Sequence, residues 1–148
     1  MKHQAPTSKF QGSSKFQAPN RGPRVVKETP NGDAGPRHPF DLEERTARFG
    51  EEIVRFCKRI PRDPTNDRLT GQLAGCATSV GGNYCEANEG VSKKDFRNVI
   101  GRCVKEAKET KFFLRMIATA EPKLADQARA LFREAKELHL IFASIFRK

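Results

Sequence analysis

The chain lacks any apolar run approaching the roughly 20 residues that a membrane-spanning helix needs, so no membrane location is expected. No apolar segment follows its basic amino-terminal residues, so no secretory leader is expected and the cytoplasm is the expected compartment. Cys57, Cys76, Cys85 and Cys103 include no Cys-x-x-Cys pair, which leaves no zinc spacing within a segment and reads as reduced, small packing residues. A di-iron bundle requires inward-facing Glu-x-x-His pairs. Glu134 and Glu137 stand five and two positions before His139, while His3 and His38 belong to the first 40 residues. Gly81-Gly82 is not followed by Gly-Lys-Ser/Thr, so no phosphate-cradling loop is encoded there. No metal and no cofactor is therefore expected, and no stretch reads as a strand.

Charge is missing from one stretch in particular. Leu69–Cys85 has no charged residue in a chain that is 31% charged. Read as a helix, it places Leu69, Leu73, Cys76, Val80, Tyr84 and Ala87 on one face at three- and four-residue spacing, a core-facing stripe. Gly71, Gly75, Thr78, Ser79 and Gly82 fall on the opposite face, where a solvated helix would carry Lys or Glu. Interior glycines cost a helix roughly 1 kcal/mol each, so their concentration there predicts close packing by another backbone. The expectation is an inner helix, covered by its own domain on one side and by a second copy of the chain on the other.

The 148 residues amount to one domain, with a net charge of +10 and a pI near 9.8. Such basicity points to an anionic partner, with nucleic acid first and an acidic protein surface second. Residues 1–40 are rich in Pro, Gly, Gln, Ser and Lys and are expected to be disordered. Lys2, Lys9, Lys15, Arg21, Arg24, Lys27 and Arg37 outnumber Glu28 and Asp33 there, so half the net charge lies in this tail. Ser8-Lys9-Phe10-Gln11 repeats as Ser14-Lys15-Phe16-Gln17, and the expected role is solubilising or partner-docking rather than base stacking.

Residues 41–148 read as an all-α, antiparallel up-down four-helix bundle. The first helix is predicted from Leu42 to Ile60, capped by Asp41 and ended by Pro61, with Leu42, Phe49, Ile53, Phe56 and Ile60 on its core face. Arg45, Arg48, Arg55 and Arg59, continued by Arg62, line the other side. An arginine stripe suits phosphate contact, although Glu44, Glu51 and Glu52 stand nearby for i,i+4 pairing. Thr65 or Asn66 is predicted to cap the second helix, which runs to about Glu89 with Gly90 as its stop. Ser92 and Asp95 resemble a capping box opening the third helix. That helix carries Phe96, Val99, Ile100, Cys103, Ala107, Thr110, Leu114 and Ile117 on its core face. Lys108, Lys111 and Arg115 lie on one flank, and Phe112 falls beside Lys105 and Lys108, where a subunit contact is preferred over base stacking. The fourth helix, from about Lys123 to Phe146, has a four-three seam of Leu124, Ala128, Leu131, Ala135, Leu138, Phe142 and Ile145.

From Gln72 to Ile117 the chain carries Ala77-Thr78-Ser79-Val80-Gly81-Gly82-Asn83-Tyr84, Glu86-Ala87, Ser92-Lys93-Lys94-Asp95-Phe96, Lys105-Glu106-Ala107, Glu109-Thr110 and Phe112-Phe113-Leu114. In these it resembles the small four-helix-bundle proteins related to the 23S ribosomal RNA intervening-sequence proteins. Departures are Phe113, where members often carry Trp, the acidic Asn88-Glu89-Gly90 before Ser92, and the basic tail. The resemblance implies a four-helix bundle, a homo-oligomeric ring with a pentamer favoured, nucleic-acid binding, and no catalytic residues to carry over. Its basic relatives include accessory proteins of diversity-generating retroelements, which are thought to engage reverse transcriptase and nucleic acid.

The resulting expectation is a non-enzymatic oligomer that binds RNA, such as ribosomal RNA, or DNA. Its phosphate contacts would come from Arg45, Arg48, Arg55, Arg59, Arg62, Lys105, Lys108, Lys111 and Arg115. Gly71, Gly75, Thr78, Ser79, Gly82 and Phe112 would form the subunit interface. Asn83, Glu86 and Glu106 would satisfy one another at a buried polar junction, with Ser79 nearby. A scaffold docking an acidic protein is the alternative. A remoter one is a ribonuclease, because Arg133 and His139 resemble the Arg-x(4–6)-His motif of the HEPN enzymes. Six positions on a helix set those two side chains roughly 120° apart, which opposes convergence on one phosphate.

Overall fold

Residues 41–90 and 92–148 are described by a computed structural model. The expectations for residues 1–40, disorder and the repeated Ser-Lys-Phe-Gln among them, lie outside the described residues. The elements are α1 (Leu42–Cys57), α2 (Pro64–Asn88), α3 (Lys93–Ala120) and α4 (Ala125–Arg147), with a short 3₁₀ turn at Pro122–Leu124 leading into α4. There is no strand among the described residues. Each helix packs on its sequence neighbours, and α1 also meets α4, so the four close into a bundle whose α1–α2 and α3–α4 edges lie opposite one another.

Local chemistry sets the helix ends. The Asp41 carboxylate accepts from the Glu44 amide at 3.0 Å, satisfying one free N–H of the first turn of α1. This helix stops at Cys57, short of the expected Ile60, and the chain tightens through Arg59 N to Phe56 O at 3.0 Å and Ile60 N to Cys57 O at 3.3 Å. Ile60 precedes a proline, which disfavours the helical backbone there, yet its side chain stays buried.

The cap of α2 is Asp63, not Thr65 or Asn66. Its carboxylate accepts from the Asn66 amide at 2.8 Å, and Pro64 takes the first helical position, where its missing N–H has no cost. Asn66 is released for another role. Buried, it donates through Nδ2 to Pro61 O at 3.0 Å and to Glu121 Oε1 at 2.7 Å, tying the start of α2 to the end of α3. Gly90 N donates to Ala87 O at 3.1 Å, and a Cβ at Gly90 would come within 3.0 Å of that oxygen, which accounts for glycine at this exit. Ser92 caps α3 by accepting from the Asp95 amide at 3.1 Å while its hydroxyl donates to the Asp95 carboxylate.

The predicted seams meet in one core. Phe49, Ile53 and Phe56 of α1, Leu73 and Val80 of α2, Ile100, Leu114 and Ile117 of α3, and Leu138 and Phe142 of α4 are all buried. Each such side chain contributes roughly 1.5–3 kcal/mol by leaving water. Leu69, Tyr84, Phe96, Leu124 and Ile145 are half-buried around it. α1 and α2 approach closely where Thr46 faces Gly81: a Cβ on Gly81 would sit 3.3 Å from Thr46 Oγ1.

The other face of α2 is uncovered among the described residues. Gly71, Gly75, Thr78 and Gly82 are exposed, Ser79 is half-buried, and a Cβ on Gly71, Gly75 or Gly82 would meet nothing within 4 Å among the described residues. The hydroxyls of Thr78 and Ser79 turn back, donating at 2.7 Å to Ala74 O and Gly75 O. Covering this face would therefore strand no hydroxyl donor.

Candidate nucleic-acid interface

The arginines of α1 are largely compensated by carboxylates. Arg45 reaches across to α4 in a bidentate pair with Glu134, Nε to Oε1 at 2.6 Å and NH2 to Oε2 at 3.0 Å, with Glu137 at 3.7 Å. That pairing holds the Arg45 guanidinium above its usual pKa. Arg48 pairs with Glu44 at 2.7 Å, Arg55 with Glu51 at 3.2 Å, and Arg62 with Asp67 at 2.5 Å. Only Arg59 of this stripe has no carboxylate within bonding distance among the described residues. The stripe expected to face phosphate thus carries little free positive charge. Lys105 on α3 is likewise answered by Glu109, at 3.7 Å.

The α3–α4 edge differs. Lys108, Lys111 and Arg115 of α3, together with Lys136 of α4, form no ion pair among the described residues. Lys111 Nζ lies 3.0 Å from His139 Nδ1. An ammonium has only donors, so Nδ1 accepts and the ring proton is on Nε2. Burial first, then the charges of Lys136 and Lys108, hold the Lys111 ammonium below its usual pKa. Burial, then Lys111 and Lys108, do the same to His139. An anion placed here would relieve the mutual repulsion, the property a phosphate site requires. Lys136 and His139 were not among the expected contacts. The signal was available, since each follows a seam residue of α4, Ala135 and Leu138, and so sits on the flank turned to α3.

One turn further along, a cleft of about 360 Å³ is lined by Leu114, Arg115, Ala118, Ala128, Arg129 and Phe132. On the α2–α3 side, Phe112 is 53% exposed and meets Phe113 edge-to-face at 5.3 Å, in a cleft with Gln72, Lys105, Lys108 and Glu109. The opposite α1–α2 edge is an open trough of about 610 Å³, whose lining includes Ala47, Gly50, Val54, Thr78, Gly82 and Cys85. Val54 is 44% exposed there, beside the small-residue face of α2.

The expected polar junction is not seen among the described residues. Glu86 is exposed and pairs with Arg102 at 3.1 Å, Ser79 bonds its own helix, and no hydrogen bond links Asn83, Glu86 and Glu106 among the described residues. Glu86 points outward, where Arg102 of α3 reaches it. Burial raises the Glu106 carboxyl above its usual pKa. Cys57, Cys76 and Cys103 pack as expected, with burial pushing the Cys57 thiol up to about 11 and Cys103 to about 12, whereas Cys85 is exposed. No group of metal-ligating side chains occurs among the described residues. His139 is engaged by Lys111, and Arg133 is an exposed residue of α4.

Residues 40–144 match the family described as 23S rRNA-intervening sequence protein. The chain belongs to that family. Among solved structures, this 23S rRNA-intervening sequence family member is similar to a protein of unknown function from the S23 ribosomal protein family of Bacteroides thetaiotaomicron. The TM-score is 0.64 at 24% identity, covering 72% of this chain and 99% of that one, a likeness of fold. Comparison with curated proteins gives no match. No helix of this family member is long and apolar enough to cross a membrane among the described residues.

Proposed function

We propose that this member of the 23S rRNA-intervening sequence protein family is a non-catalytic, self-associating protein of the cytoplasm that binds nucleic acid, RNA in the first place. The observation that carries the reading is the group of cations on the α3–α4 edge that form no ion pair among the described residues, Lys108, Lys111, Arg115 and Lys136, with His139 among them. The family description, which names 23S rRNA, supports RNA as the anion. Contacts of this kind read backbone rather than base sequence, so binding is weakly sequence-selective and steeply salt-dependent. Self-association uses the uncharged outer face of α2, with Phe112 and the α1–α2 trough at its borders. A ring is the form the family resemblance favours, a pentamer in particular. It would leave the opposite α3–α4 edge facing outward.

The test is fluorescence anisotropy with labelled RNA over a range of salt. A linear fall of log K with log salt is expected, and Lys111→Ala should reduce its slope by about 0.7 for a single strand. Affinity independent of salt would overturn the reading. Capture of an acidic protein that survives nuclease, without RNA binding, would replace it with a scaffold. Cleavage of RNA lost in His139→Ala would replace it with a ribonuclease.

A further inference from the structure

The α3–α4 groove has two parts of different chemistry. Lys108, Lys111 and Lys136 make a purely cationic patch around His139. Arg115 stands one turn after Lys111, about 6 Å along the helix axis, and marks the start of the cleft. There the floor is apolar, made by Leu114, Ala118, Ala128 and the ring of Phe132, and Arg115 and Arg129 rise on either side. Asp126 accepts from Arg129 NH1 at 2.6 Å, and the other guanidinium nitrogens make no hydrogen bond among the described residues.

Phosphates alone have no use for an apolar floor. A duplex offers phosphates at its surface but keeps its bases paired and stacked, out of reach of a recess between two helices. An unpaired base has a flat apolar face that stacks on aromatic rings and on arginine planes. The Phe112 cleft is the competing platform, but the Glu109 carboxylate is part of its lining, whereas no carboxylate is among the residues lining the Phe132 cleft.

We propose that the α3–α4 groove selects single-stranded nucleic acid, holding a phosphate on Lys108, Lys111 and Lys136 while the adjoining base enters the cleft against Phe132 between Arg115 and Arg129. The inference rests on the nucleic-acid reading above and goes further, naming the strand state that is bound and the residues that discriminate it.

The experiment measures anisotropy with the full chain, an unstructured oligonucleotide and the same sequence paired to its complement. The single strand should bind at least about ten-fold tighter than the duplex. Phe132→Leu keeps an apolar filling in a partly buried position, and it should remove that preference while leaving the salt slope unchanged. Arg129→Gln, at an exposed position that leaves the core untouched, should weaken the single strand and spare the duplex. Equal affinity for the two forms, or a preference that persists in both variants, overturns the proposal while leaving backbone binding in place. Absence of binding to either form overturns the nucleic-acid reading, and this proposal with it.

Discussion

Lys111 of α3 and His139 of α4 share a hydrogen bond of 3.0 Å in which the ammonium donates to Nδ1, with Lys108 and Lys136 acting on the same pair. Two basic groups share one proton across a helix interface, with no carboxylate paired to either among the described residues. This arrangement separates the α3–α4 edge from the rest of the charged surface.

A pH dependence follows. His139 in the fold titrates below its ordinary value of 6.5, so between the two values the unfolded chain binds more protons. The associated stability is complete above pH 6.5 and is lost as pH falls through the folded value. The melting temperature should drop on acidification more in the native chain than in His139→Asn. RNA, by favouring the protonated ring, should bind more tightly as pH falls. Identical pH profiles for the two proteins would contradict this.

Arg45 and Lys111 should separate by function. Both were expected to contact phosphate, but Arg45 is bound to Glu134 across the α1–α4 interface at 2.6 Å. Arg45→Ala should cost up to about 1 kcal/mol in urea unfolding and leave the salt slope of RNA binding unchanged. Lys111→Ala should do the reverse. Equal losses of RNA affinity would return α1 to the interface.

Two neighbouring glycines should also differ. A side chain at Gly81 meets Thr46 at 3.3 Å, so Gly81→Leu should destabilise the fold itself by roughly 1–3 kcal/mol. A side chain at Gly82 meets nothing within 4 Å among the described residues, so Gly82→Leu should keep its helix content by circular dichroism while losing self-association by light scattering. Gly75→Leu should behave like Gly82→Leu. Unchanged mass in both of these variants would contradict an interface on this face.

Asp63→Ala should lower stability by about 1 kcal/mol, since its carboxylate answers an amide at the start of α2, while Thr65→Ala should be nearly silent. Chemical denaturation of the two variants distinguishes them.

The fold was legible because its determinants are local. The seam of α4 and the stripes of α1 and α3 need only periodicity, and Asp41 and Ser92 announce their helices through spacing. Asp63 was missed because Thr65 and Asn66 are also good caps, and only the placement of Pro64 at the first helical position decides among them. The candidate interface was less legible because charge pairing is tertiary. Glu134 lies 89 positions from Arg45, so nothing near Arg45 marks it as compensated. Lys136 and His139 gain their meaning from Lys108 and Lys111 on another helix. Glu86 shows the same limit, since its partner among the described residues is Arg102 of α3 rather than Asn83 or Glu106.

Burial of the uncharged face of α2 against another copy would leave the α3–α4 edge free for nucleic acid. Native mass spectrometry of the untagged protein tests it most directly. The predicted result is a single assembly at a multiple of the 16.6 kDa chain that takes up single-stranded RNA without dissociating. A stable species at 16.6 kDa across the concentration range, with or without RNA, would contradict it.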